Sequence, residues 1–119
     1  MKGKKIILLF ILFVFAIVIM LFLCARFEKK PITEFTTGNW LSVESDQRYH
    51  MLKDLFAKVE LVDMSQDEVK ELLGEYHLRY GEYWGYTIRD DWWEGDEYLL
   101  IKFKDGIVVG YEFAYGGDL

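Results

Sequence analysis

Cysteine and proline are almost missing from this chain, with one of each in 119 residues. The lone cysteine, Cys24, excludes an intramolecular disulfide, so the folded part must stand on its hydrophobic core. Histidine is nearly as scarce: His50 and His77 are the only two, and nothing in their spacing pairs them. They are expected to be ordinary surface or boundary imidazoles. The glycines form neither a Walker nor a Rossmann pattern, and no serine lies in G-x-S-x-G context. Cys24, inside an apolar run, is no accessible thiol nucleophile. These absences leave no catalytic signature, and the expectation is a chain that is not an enzyme and carries no cofactor.

The one long run that is present is apolar. Residues 6–25, "IILLFILFVFAIVIMLFLCA", hold no charge, no glycine and no proline. Twenty helical residues at ~1.5 Å rise give ~30 Å, the thickness of a bilayer's hydrocarbon core. A signal-peptide apolar region is shorter, about 7–15 residues, and is followed by small residues at a cleavage site. Here cutting after Ala25 would place Leu23 at the −3 position. A lipoprotein signal carries a small residue just before its cysteine, whereas Leu21-Phe22-Leu23 precede Cys24. An uncleaved span ending in an unmodified thiol is therefore the expectation, with lipidation and reversible palmitoylation as the alternatives. Lys2, Lys4 and Lys5 before the run balance Arg26, Lys29 and Lys30 after it, so the charge rule for orientation is tied. The short tail, residues 1–5, is placed in the cytoplasm, with the C-terminal part outside a bacterial cell membrane.

Beyond the span the scarce charge is the positive one. Residues 31–119 hold 8 Lys and Arg against 19 Asp and Glu, a net of −11. Nucleic acid is excluded as an expected partner, because binding it relies on neutralising phosphates. Pro31 marks the exit from the anchor, and residues 26–39 read as a polar linker. The folded domain is assigned to residues 40–119. Four tryptophans and eight tyrosines help a core this small.

Within the domain, Leu52, Leu55, Phe56 and Val59 recur at helical spacing, with Arg48, Lys53, Asp54 and Lys58 elsewhere on the helix. The next segment, "DMSQDEVKELLGEY", carries a capping box in Ser65 and Glu68 and a hydrophobic staple in Met64 and Val69. Gly74 is expected to end that helix in the left-handed conformation. The period then changes from 3.6 to 2. Trp84, Tyr86 and Ile88 alternate against Tyr83, Thr87 and Arg89. "EYLLIKF" and "IVVGYEF" follow around "KDG", read as a three-residue hairpin loop, Lys104-Asp105-Gly106, with Gly106 left-handed. That loop pairs Phe103 with Ile107, Ile101 with Val109 and Leu99 with Tyr111. It gathers Leu99, Ile101, Phe103, Ile107, Val109, Tyr111 and Phe113 on one face. The expected fold class is α+β: an N-terminal transmembrane helix, then two helices packed on an antiparallel three-stranded meander.

The second helix, "MSQDEVKELLGE", resembles the M-[ST]-x-x-[DE]-V-x-x-L-L-G-x-P segment of the SmpA/OmlA family, and "YLLIKFKDGIVVGYEF" is similar to that family's hairpin. The two matches cover about half of the folded part. Asp63 and Tyr76 stand where the family usually has Gly and Pro. The resemblance implies a β-lactamase-inhibitor-protein-like fold and a binding or scaffolding module that works by surface contacts.

The densest acidic stretch, "RDDWWEGDE" at residues 89–97, is the candidate site for a protein partner. Trp92 or Trp93 is the expected anchor, with Asp90, Asp91, Glu94, Asp96 and Glu97 as the rim. The EF-hand order is absent and the tryptophans stand where ligands would be needed, so no metal is expected. The functional expectation is a membrane-anchored interaction or scaffolding module at the bacterial cell envelope. The alternative is an inhibitor or immunity-type protein that blocks a basic partner. Intact-mass measurement of membrane-extracted protein checks the anchor: the mass of the whole chain is expected, and a mass beginning at an acylated Cys24 would refute it.

Overall fold

The computed structural model describes residues 2–26, 30–91, 93 and 95–119. They belong to two compact units, Met1–Lys30 and Pro31–Leu119. The first unit is helix α1, Lys2–Arg26. Its segment Gly3–Cys24 is long and apolar enough to cross a membrane. The large side chains from Ile6 to Leu23 are exposed. A helix satisfies its own backbone hydrogen bonds, so such a surface suits lipid rather than water.

The second unit begins inside the stretch read as linker. Phe35 is buried, and Thr36 opens α2, Thr37–Ser42, by accepting the Asn39 N–H at 2.9 Å. Asp54 holds this entry in place. Its Oδ2 accepts the Phe35 N–H at 2.6 Å and pairs with Lys58 at 2.7 Å, while the Lys58 ammonium also donates to the Phe35 carbonyl. Lys58 first, and then the Phe35 N–H, hold the Asp54 carboxyl below the usual range.

The expected first helix is split. Ser45–Met51 is a 3₁₀ helix that passes into α3, Leu52–Lys58. With three residues per turn, positions three apart line up on one face. Arg48 and Met51 therefore both turn inward, and Arg48 is only 7 % exposed, against its expected place on the polar side. Leu55 is buried in α3, with Leu52 and Phe56 packed against the core.

Helix α4, Gln66–Leu73, starts where the capping box places it. The Ser65 hydroxyl accepts the Glu68 N–H, and the Glu68 carboxylate accepts the Ser65 N–H, both at 3.2 Å. Gly74 ends it with positive φ (78°), but its ψ of −163° is extended rather than left-handed helical. That conformation is accessible essentially to glycine alone.

The strands are β1 (Leu78–Tyr80), β2 (Tyr83–Asp91), β3 (Gly95–Lys104) and β4 (Ile107–Tyr115), joined as an antiparallel meander in chain order. The sheet thus has four strands instead of three. The unexpected β1 is three residues long, too short to show a period of two. Trp84, Tyr86, Ile88, Leu99, Ile101, Phe103 and Val108 are buried in one core with Trp40, Met51, Leu55, Val69 and Leu73. This is the expected α+β arrangement of helices on a sheet.

The β3–β4 connection corrects the three-residue loop. Lys104 pairs with Ile107 and Phe103 with Val108, so the loop is Asp105-Gly106, with φ of 52° and 77°. Both central residues at positive φ make a two-residue primed turn, the kind that matches strand twist. The register then shifts, Lys102 facing Gly110, which leaves Val109 as a bulge. That extra residue restores the pairing of apolar with apolar, Ile101 with Tyr111 and Leu99 with Phe113. Val108, not Ile107 or Val109, is the buried residue of this end. Tyr111 stacks on Phe56 at 4.7 Å, and Phe113 meets the same ring edge-on at 6.1 Å.

Ser65→Ala removes one half of the reciprocal cap and is expected to cost about 1 kcal/mol. Chemical denaturation of residues 31–119 measures it. An unchanged midpoint would mean that the cap contributes nothing.

Candidate functional site

The strands that carry the site are longer than the sheet that supports them. β1 reaches only from Tyr80, opposite Tyr83, to Leu78, opposite Gly85, whereas β2 continues to Asp91. A register shift between Thr87 and Arg89 introduces a bulge at Ile88. Bulges bend and twist a strand pair, and this one lies where β2 runs on past β1, with β4 still beside β3 as far as Tyr115, opposite Glu97. There Arg89 faces Glu97, Asp90 faces Asp96 and Asp91 faces Gly95.

The expected site residues fall on this extension. Asp90 is exposed, and Asp96 and Glu97 are half-buried. Trp93 stands in the turn, 79 % exposed. Trp92 and Glu94 lie outside the described residues, and of Asp91 only the strand position is described. Placing Asp90 directly opposite Asp96 opposes folding, since like charges across a strand pair repel.

The root of the tip is tied to the helical layer. The Arg89 guanidinium lies 5.2 Å over the ring of Tyr49 in the 3₁₀ segment. Tyr98 of β3, opposite Thr87, has its hydroxyl pushed up first by burial and then by Asp96. The Thr87 N–H donates to Nδ1 of His77 at 3.0 Å. His77 is therefore no idle boundary residue. Its own N–H donates to the Gly85 carbonyl at 2.9 Å, and its Nε2 lies 3.5 Å from the Arg48 guanidinium.

Arg48 leads from His77 into the core. Its Nε donates to the Trp40 carbonyl at 3.0 Å, and its guanidinium lies 4.8 Å over the Trp40 ring. The Trp40 indole N–H in turn donates to the Leu73 carbonyl at 3.0 Å. Tyr86 Oη donates to the Gly74 carbonyl at 2.9 Å, and burial pushes that phenol well above its ordinary value. Among the described residues, every buried side-chain nitrogen and oxygen has a hydrogen-bond partner. This network braces the root of the tip against the helical layer.

Sequence reasoning missed Arg48 and His77. The signal for Arg48 was weak, because a 3₁₀ segment rotates it off the α-helical phase. For His77 there was none, because its role follows from where β1 stops.

Among the described residues, no three His, Cys, Asp or Glu side chains are grouped to hold a metal ion. No family model matches the chain, and neither a curated protein nor a solved structure matches it significantly.

An indole exposed at a loop tip contributes little to folding. Trp93→Ala is expected to change stability by less than about 0.5 kcal/mol, as surface substitutions usually do. Thermal denaturation of residues 31–119 checks it, and a loss of several kcal/mol would show that Trp93 serves the core instead.

Proposed function

We propose that this chain is a membrane-tethered, non-catalytic protein-interaction module of a bacterial cell envelope, whose partner docks on the β2–β3 tip. The observation that carries the reading is Trp93, 79 % exposed at the end of a strand extension lined by carboxylates. An aromatic anchor inside a polar rim is the anatomy of an interface hot spot. Tryptophan brings large contact area at low conformational cost, and most of the surface of Trp93 is open to a partner.

The charge of the domain selects the partner's sign. With a net of −11 over residues 31–119, a basic protein surface is drawn in, and anionic lipid and nucleic acid are repelled. The apolar helix supports a tether that keeps this acidic surface near a membrane while charge holds it off the headgroups. The single-pass topology, with the domain on the extracytoplasmic side, completes the reading. The resemblance of residues 64–75 and 98–113 to the SmpA/OmlA family supports a scaffolding role of this kind.

Full-length protein solubilised from membranes, with Trp93→Ala alongside, tests the reading by comparing the partners retained. The variant is expected to lose about 2 kcal/mol or more of binding. Asp90→Asn with Glu97→Gln is expected to flatten the salt dependence of binding, because screening acts on exposed charges. A folded Trp93→Ala variant that keeps every partner would place the binding face elsewhere.

A further inference from the structure

β2 outruns β1, and the backbone groups on its exposed side need partners beyond Gly85. His77 supplies two successive rungs there. Its main-chain N–H donates to the Gly85 carbonyl at 2.9 Å, as a strand residue would. The next rung calls for a carbonyl, because the Thr87 N–H points outward. The chain has already turned away at Gly74, whose carbonyl is taken by Tyr86. The imidazole Nδ1 stands in for that carbonyl at 3.0 Å.

A carbonyl oxygen accepts at any ordinary pH, whereas an imidazole nitrogen accepts only while unprotonated. Thr87 and Arg48 both aim an N–H at the ring, and a neutral imidazole accepts at one nitrogen only. The shorter contact, 3.0 Å against 3.5 Å, gives Nδ1 to Thr87 and leaves the ring proton on Nε2, turned towards Arg48. Protonating Nδ1 would set one N–H against another at the Thr87 rung. It would also create a cation 3.5 Å from the Arg48 guanidinium. Arg48 has little room to withdraw, being held by the Trp40 carbonyl and stacked on the Trp40 ring. Among the described residues, the groups that face His77 are Arg48 from the 3₁₀ segment, the Tyr86 ring of β2 at 6.3 Å, and Asp96 of β3, an anion that attracts the protonated ring.

We propose that His77 is a proton-operated clasp: one proton taken up at Nδ1 releases Thr87 and loosens the outer edge of β2 where it runs on to the tip, while β3 stays paired with β4. The break falls between the supported part of β2 and its extension, at Thr87 beside the bulge. The released imidazolium leaves Arg48 for the acidic side of the tip, towards Asp96. The clasp follows from the strand geometry alone and goes beyond the partner reading, holding whether or not a protein docks on the tip.

The direction of the pH effect follows from the same contacts. Burial, and then Arg48, hold His77 below the ordinary histidine value, with Asp96 opposing. The opened tip, with a normal imidazole, takes up the proton first as pH falls. Closure is complete above the ordinary value, about 6.5, and is lost progressively down to the lowered value of the closed form.

Nuclear magnetic resonance on the full-length protein in nanodiscs tests this, from about pH 8 to about pH 5, the range around an ordinary histidine. Ring nitrogen shifts follow His77, and amide hydrogen-exchange protection factors follow Thr87–Asp91 against Leu99–Phe103. In the closed form the ring is expected as the Nε2–H tautomer. Protection at Thr87 is expected to fall as pH drops below the ordinary value, by at most about tenfold per pH unit, the limit for one linked proton. It is expected to level off below the lowered value of the closed form, while β3 stays protected. His77→Gln keeps an acceptor that does not titrate and is expected to hold protection constant. An Nδ1–H tautomer, or unchanged Thr87 protection once His77 is protonated, would overturn the clasp. An undiminished pH response in His77→Gln would overturn it too, assigning the effect to the tip carboxylates. If His77→Gln fails to fold, the wild-type titration alone decides.

Discussion

The indole of Trp40 is fully buried, and three separate pieces of the domain meet on it. Its N–H donates to the Leu73 carbonyl at the end of α4, its face carries the Arg48 guanidinium, and its edge meets Phe35 at 6.0 Å. The Trp40 carbonyl takes the Nε of Arg48 as well. A domain of about 90 residues without a disulfide has little core to spend. α2 is six residues, α3 seven and α4 eight, far too short to be helical alone. Their order comes from tertiary contact, and Trp40 of α2 supplies it to α4 and to the 3₁₀ segment that leads into α3.

Burying Arg48 beside that indole is tolerable only because its polar atoms are placed. An arginine left unpaired in a core is costly, while one donating to a carbonyl and lying on an aromatic face keeps part of what water gave it. Burial lowers the Arg48 pKa, the mark of that strain. The same side chain then bears on His77, and through His77 on Thr87. A fully buried residue, Trp40, and the outer edge of β2 at Thr87 are therefore linked through the side chains of Arg48 and His77.

How much of this could be read in the sequence varied with the length of the signal. The capping box at Ser65 and Glu68, the alternation of Trp84, Tyr86 and Ile88, and the apolar run of residues 6–25 are local patterns, and each led to the element observed. β1 was invisible because three residues do not define a period. The β3–β4 loop was misjudged because face matching was assumed to require three residues. The chain instead uses a two-residue turn and restores the match with a bulge at Val109. Arg48 was misplaced because a 3₁₀ segment changes the phase of its helix. Of the candidate site, the concentration of carboxylates and an exposed tryptophan were legible in composition, but not that Asp90 would face Asp96. The support beneath them was not legible, because His77 acquires its role only from the point at which β1 ends.

The proposed function rests on an apolar helix long enough to cross a membrane, an acidic domain and Trp93, 79 % exposed. Photocrosslinking from single positions in intact membranes measures this most directly, with a photoreactive residue at position 93 in one protein and at the exposed α3 position 53 in another. The account predicts a discrete protein adduct from position 93, weakened by high salt, and none from position 53. Adducts from position 53 alone, or equal yields from both, would contradict it.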